Sequence, residues 1–154
     1  DITSQVAVEN ARRQILEFNL QDHIILDTRF LSDNESFSKL KETDLIIFPY
    51  QHTAESASGA VRQALALNLP VVTTPLPIFE DVKNLTLTLS GTSSDDIANG
   101  LEPIIKALKD HQSYPALSKK IQRLQRATTD WRQHHAYQVL AYRLWNIVQT
   151  ETTK

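Results

Sequence analysis

Residues 44–82 read DLIIFPYQHTAESASGAVRQALALNLPVVTTPLPIFEDV, and this stretch decides the fold. Asp44 to Tyr50 is a continuous apolar run closed by Pro49, the pattern of a strand buried on both faces. Residues 51–57 are a polar loop, and Ser58 to Asn68 has helical spacing. Pro70 to Pro75 is a second short buried strand, followed over 76–83 by a loop with room for one helical turn. Strand, helix and strand in this order predict a parallel sheet with helices on both faces. Ligands of such open sheets bind at the carboxyl ends of the strands. Two such ends fall at Pro49–Tyr50 and Thr73–Pro75, and the helix that begins near Ser58 points its N-terminus to the same edge. Its first residues, Ala57-Ser58-Gly59-Ala60, are small, so free backbone N–H groups and the positive dipole end can face an anion closely. The plainer alternative is that Ser56 or Ser58 caps the helix and Gly59 serves packing.

Upstream, Val6, Ala7, Ala11, Ile15 and Phe18 recur at helical spacing, which predicts a helix from Ser4 to Leu20 with Ser4 as N-cap and Asp1 nearby. HIILDTRF (23–30) reads as a strand, and Ser32 or Asp33 caps a short helix through Glu42. Downstream, LTLTLS (85–90) alternates as a strand. Ser93 or Ser94 caps a helix to about His111, Pro115 interrupts, and helical pattern resumes to about Thr150 with a break near Thr128–Asp130. The expected fold class is α/β, a Rossmann-like parallel sheet. Such a unit starts with a central strand, whereas this chain starts with a helix, so one or two strands are expected upstream of Asp1. Residues 1–112 then form a partial Rossmann-like domain. Residues 113–154 form helices packed on it or on a further N-terminal domain. A sheet with such a gap exposes apolar edges and favours self-association.

Composition narrows the chemistry. The chain has 154 residues, 41% apolar and 22% charged, the size and make-up of one globular domain. It has no cysteine, which removes disulfides, thiol nucleophiles and Cys-based metal sites. Its three glycines, Gly59, Gly91 and Gly100, leave no Walker loop, G-x-G-x-x-G or nucleophile elbow. No methionine is present and the chain opens at Asp1, which reads as a processed, trimmed or partly recorded product without a signal peptide. Charge is uneven, −7 over residues 1–111 and +5 over 112–154. A basic tail of this kind is ordinarily a solvated helix face, and it also suits contact with an anionic membrane surface.

The order of residues in the deciding stretch resembles the donor-binding, C-terminal half of retaining glycosyltransferases of the GT-B fold, family 4 type. The matching residues are Asp44, the strand Leu45 to Phe48, Pro49, Glu55, Ser58-Gly59, Gln63, Ala64 and Pro70-Val71-Val72. The likeness covers about 100 residues well, including 23–44, and the terminal helices loosely. It implies that Glu55 orients the donor sugar as the catalytic carboxylate, and that the Ser58 and Gly59 amides take the diphosphate. It also implies nucleobase contacts at Arg29 and Phe30, and a pocket wall from Thr73 to Pro77. His52 is placed for a sugar or acceptor contact. Gln63 stands where the family has a second glutamate on the nucleotide ribose. An amide keeps a donor and an acceptor there but loses charge assistance. The upstream loop that carries the family's basic residues has no clear counterpart.

The remaining constellations are weaker. Adjacent His134 and His135 cannot share one helix face, so they make a poor metal pair. Asp95-Asp96 suits a helix start, and Glu80-Asp81 alone is a poor cation site. Trp131, Tyr137, Tyr142 and Trp145 form a packing stripe with Leu140, Leu144 and Val148. The expected function is a glycosyltransferase fragment. It would transfer a sugar, with retention, from a nucleotide diphosphate donor to a hydroxyl, without a cofactor or metal. This chain alone would be inactive. Expected partners are the donor, a missing N-terminal domain and further copies of the chain; nucleic acid is not expected. The expected compartment is the cytoplasm, with membrane-peripheral contact as a variant. The alternative is a non-catalytic α/β module that binds a nucleotide or a protein.

Overall fold

A computed structural model of the chain describes residues 2–151, and side-chain burial for residues 5–149. The chain divides into two compact units, one up to Ser36 and one from Phe37 onward. The first unit contains α1 (Ile2–Glu17) and an extended segment without regular structure. None of its described side chains is buried. Because α1 begins at Ile2, Ser4 lies inside the helix instead of capping it, and Asp1 lies outside the described residues. The helix ends where Asn19 takes a left-handed conformation (φ 54°), and the Leu20 amide returns to the Ile15 carbonyl at 2.8 Å.

HIILDTRF does not form the strand expected over 23–30. A strand exists only with a ladder partner, and none of the described residues supplies one. Local bonds take over: the His23 and Ile24 amides both donate to the Leu20 carbonyl, and the Arg29 amide donates to Asp27 Oδ1. Ile25 and Phe30 are left almost fully exposed. The short helix that follows, α2 (Asp33–Lys41), starts as expected. Ser32 receives the Glu35 amide on its hydroxyl, and Glu35 reaches back to the Ser32 amide and hydroxyl.

The second unit is mixed α/β. Strands β1 (Ile46–Phe48), β2 (Val71–Thr73) and β3 (Leu87–Thr88) form an open parallel sheet in that order, with Ile46 opposite Val71 and Val72 opposite Leu87. The alternation of side chains divides the core into two layers. Ile46 and Val71 pack with Val61, Ala64 and Leu65 of α3 (Gly59–Ala66) and with Ile78, Phe79 and Val82 of the 3-10 turn Pro77–Val82. Val72, Leu87 and Leu89 pack with Ile104 and Ala107 of α4 (Ser94–Lys109) and with Ile121 and Leu124 of α5 (Pro115–His135). Helices thus cover both faces of the sheet. β1 and β3 are its two edges among the described residues.

The break expected near Thr128–Asp130 does not occur there. Thr128 is buried inside α5, and the Thr129 hydroxyl donates to the Gln125 carbonyl, so these β-branched residues are accommodated in the helix. The chain breaks at Ala136 (φ −60°, ψ 139°) and restarts as α6 (Tyr137–Glu151). Ala136 is a strong helix former, so no local signal marks that position. Among the described residues no helix is long and apolar enough to cross a membrane.

Candidate functional site

The carboxyl edge of the sheet is built by β1, β2 and the segments that leave them. Phe48, Tyr50 and Phe79 form an aromatic trio, with ring centroids 5.4–6.2 Å apart. The Thr74 hydroxyl donates to the Tyr50 carbonyl at 2.6 Å and locks the two strand ends together. Thr73 is buried, and its hydroxyl lies 3.2 Å from that of Thr86. Beside this lock lies a cleft of about 350 Å³ lined by Thr74, Pro75, Leu76 and Pro77, together with Phe79, Glu80, Lys83 and Thr88. Four of the five residues from Thr73 to Pro77 therefore wall one cleft, and Thr73 belongs to the core.

At the start of α3, Ser58 is buried and adopts an extended N-cap conformation, and its hydroxyl accepts the Val61 amide at 3.3 Å. The amides of Gly59 and Ala60 have no acceptor within the helix. Gly59 is exposed, and a Cβ built there would meet nothing within 4 Å, so its backbone is open to approach. The capping role of Ser58 and the open amides coexist. The helix start is tied to the sheet edge by Arg62. Its guanidinium donates to the Ser58 carbonyl at 2.8 Å and pairs with Asp81, which follows the carboxyl end of β2. Glu80, next to Asp81, pairs with Lys83, so the two adjacent carboxylates serve different cations.

The chain matches no model of a known protein family, no curated protein and no solved structure.

Glu55 and His52 lie in the fully exposed loop 51–57, where the Glu55 amide donates to the Thr53 hydroxyl at 3.1 Å. That loop leads directly into Ser58, so Glu55 stands three residues before the helix N-cap. Gln63 is exposed one turn beyond Gly59 on α3. It lines a groove with Arg132 and Trp131 to which Glu55, His52, Ser58 and Gly59 do not belong. Arg29 and Phe30 lie in the first unit. The Arg29 guanidinium is bound bidentately by Asp27, at 3.0 and 2.8 Å, and this hydrogen bonding and charge raise its pKa further above its ordinary value. Phe30 is wholly exposed. The structure thus brings together Ser58, Gly59 and the wall Thr74 to Pro77 along one sheet edge, linked by Arg62 and Asp81. Among the described residues no three His, Asp or Glu side chains converge as a metal-binding group.

Proposed function

We propose that this chain is the nucleotide-sugar-binding part of a retaining glycosyltransferase, built on the Rossmann-like C-terminal half of a GT-B fold. The observation that carries the reading is the open start of α3 at the carboxyl edge of a parallel sheet. Exposed Gly59 leaves its own and the Ala60 amide accessible where a diphosphate would gain most from the helix dipole. The cleft behind Thr74 and Pro75 adds a wall at the same edge.

In this reading the bond from the sugar's anomeric carbon to the diphosphate oxygen breaks, and a bond to the acceptor oxygen forms on the same face. The acceptor proton leaves with the diphosphate. The amides at Gly59 and Ala60 stabilise the charge that develops on the leaving group, the kind of term that dominates transfer reactions. Glu55, in the loop before the helix, orients the sugar through its hydroxyls. Arg62 holds the helix start in place through the Ser58 carbonyl and Asp81. A basic group for the diphosphate would come from an upstream strand loop and the acceptor mainly from a further N-terminal domain, and transfer by the 154-residue chain alone is not expected.

A thermal-shift panel of nucleoside diphosphates, without added metal, tests this proposal. One diphosphate should raise the melting temperature above all others, and Glu55→Ala should leave that response largely intact while weakening the response to the matching nucleotide sugar. A second reading, a non-catalytic α/β binding module, is favoured by one observation: Gln63 lines a different groove from the one that Glu55 and Gly59 would serve. A protein-binding module would respond weakly and equally to every diphosphate, and a nucleotide-binding module would respond to one diphosphate with no effect of Glu55→Ala on the nucleotide-sugar response.

A further inference from the structure

Where α5 ends and α6 begins, the elbow at Ala136 opens a groove of about 860 Å³ against α3 and Phe37 of α2. Its walls divide by chemistry. Phe37, Ala66 and Leu140 are apolar, and Trp131 and His135 are stacked with ring centroids 4.5 Å apart and planes 19° from parallel. Gln63, Gln133 and Thr129 offer amides and a hydroxyl. No Asp or Glu lines the groove, whereas Arg62 and Arg132 both do. Arg62 shares its charge with Asp81, but Arg132 is exposed and has no acidic partner among the described residues. The backbone dipoles at the elbow oppose one another, the C-terminus of α5 repelling an anion and the N-terminus of α6 attracting one. The side chains therefore decide the sign of the groove. The His135 Nδ1 donates to the Trp131 carbonyl at 2.8 Å, which fixes the imidazole against the indole and leaves Nε2 as the acceptor of the neutral ring.

We propose that this groove binds a small aromatic anion, a planar ring bearing a phosphate group. The ring is held by Leu140, Phe37 and the Trp131–His135 stack, and the phosphate by the Arg132 guanidinium. A concave site of several hundred cubic ångströms, mostly apolar with a few convergent polar groups, is the usual form of a small-molecule site. A guanidinium binds phosphate with two parallel hydrogen bonds, and an unpaired one is free to do so. The proposal does not rest on the glycosyltransferase reading, because its two deciding residues, Arg132 and Trp131, have no part in that reading.

The test uses the full chain carrying Trp145→Phe, so that Trp131 is its one indole. It is titrated with 1-naphthyl phosphate by calorimetry, with Trp131 fluorescence recorded in parallel. 1-Naphthalenemethanol serves as the uncharged ring and inorganic phosphate as the ringless anion. The expected result is saturable binding of the aryl phosphate, at least about tenfold tighter than either control, with a change in Trp131 emission. Arg132→Gln should weaken it by about tenfold while leaving the thermal melt unchanged, since Arg132 is exposed. Equal affinity for the uncharged ring, or indifference to Arg132→Gln, would overturn the proposal, as would the absence of saturable heat.

Discussion

Ser58 links stability to the site. Its hydroxyl holds the Val61 amide in a buried setting, while the next residue is open to solvent. Ser58→Ala should lower stability by about 1 kcal/mol, the usual loss for an N-cap, measured by urea unfolding. Gly59→Ala should leave stability unchanged or slightly higher, because its Cβ meets nothing and alanine is the better helix former. That pair of variants separates the cap from the open amide. The cap was legible because a serine before small residues at a helix start has a known job. The Arg62–Asp81 pair was not legible. The two residues are 19 apart in the chain, and only the return of β2 beside β1 brings them together.

At the scale of elements, apolar runs with clear ends were read correctly: β1, β2, α3 and α4 fall where the pattern put them. The segment 23–30 was misread because its composition meets the local requirement for a strand but not the non-local one, a neighbour to pair with. Backbone amides of residues 25–30 should accordingly exchange with deuterium orders of magnitude faster than those of Val71 to Thr73, which sit in the buried central strand. Comparable protection of both segments would mean that 23–30 is paired after all. The turn after α4 carries a pH signature. The Asp110 carboxyl is held below its ordinary value by hydrogen bonds from Ser113, the hydroxyl first and the backbone amide next, with Gln112 adding another. A carboxylate with a lowered folded value stabilises the fold above the ordinary aspartate value, and that contribution is lost as the pH falls through the folded value. Wild-type protein should therefore be slightly more stable than Asp110→Asn at neutral pH, and the two urea midpoints should converge on acidification. The effect is small because the group is exposed.

Across the whole molecule, one parallel sheet clad on both faces was legible from continuous β-branched runs, and its three described strands lie side by side without a gap. What the sequence could not convey is how the site residues sort in space. Helical spacing puts Gln63 one turn beyond Gly59, yet Gln63 lines the α5–α6 groove and Gly59 stands at the sheet edge. The break at Ala136 that creates that groove has no breaker residue to announce it. Each unit carries exposed apolar side chains of its own, Ile25 and Phe30 in the first and Leu144 and Trp145 of α6 in the second.

The central claim is that a nucleoside diphosphate is held at the start of α3. The most direct measurement is a calorimetric titration of wild-type and Gly59→Val protein with the diphosphate that gives the largest thermal shift. The account predicts saturable binding to the wild type and at least about tenfold weaker binding to the variant, with both proteins melting alike, because Gly59 is exposed and a Cβ there meets nothing within 4 Å. Equal affinities for the two proteins would contradict it.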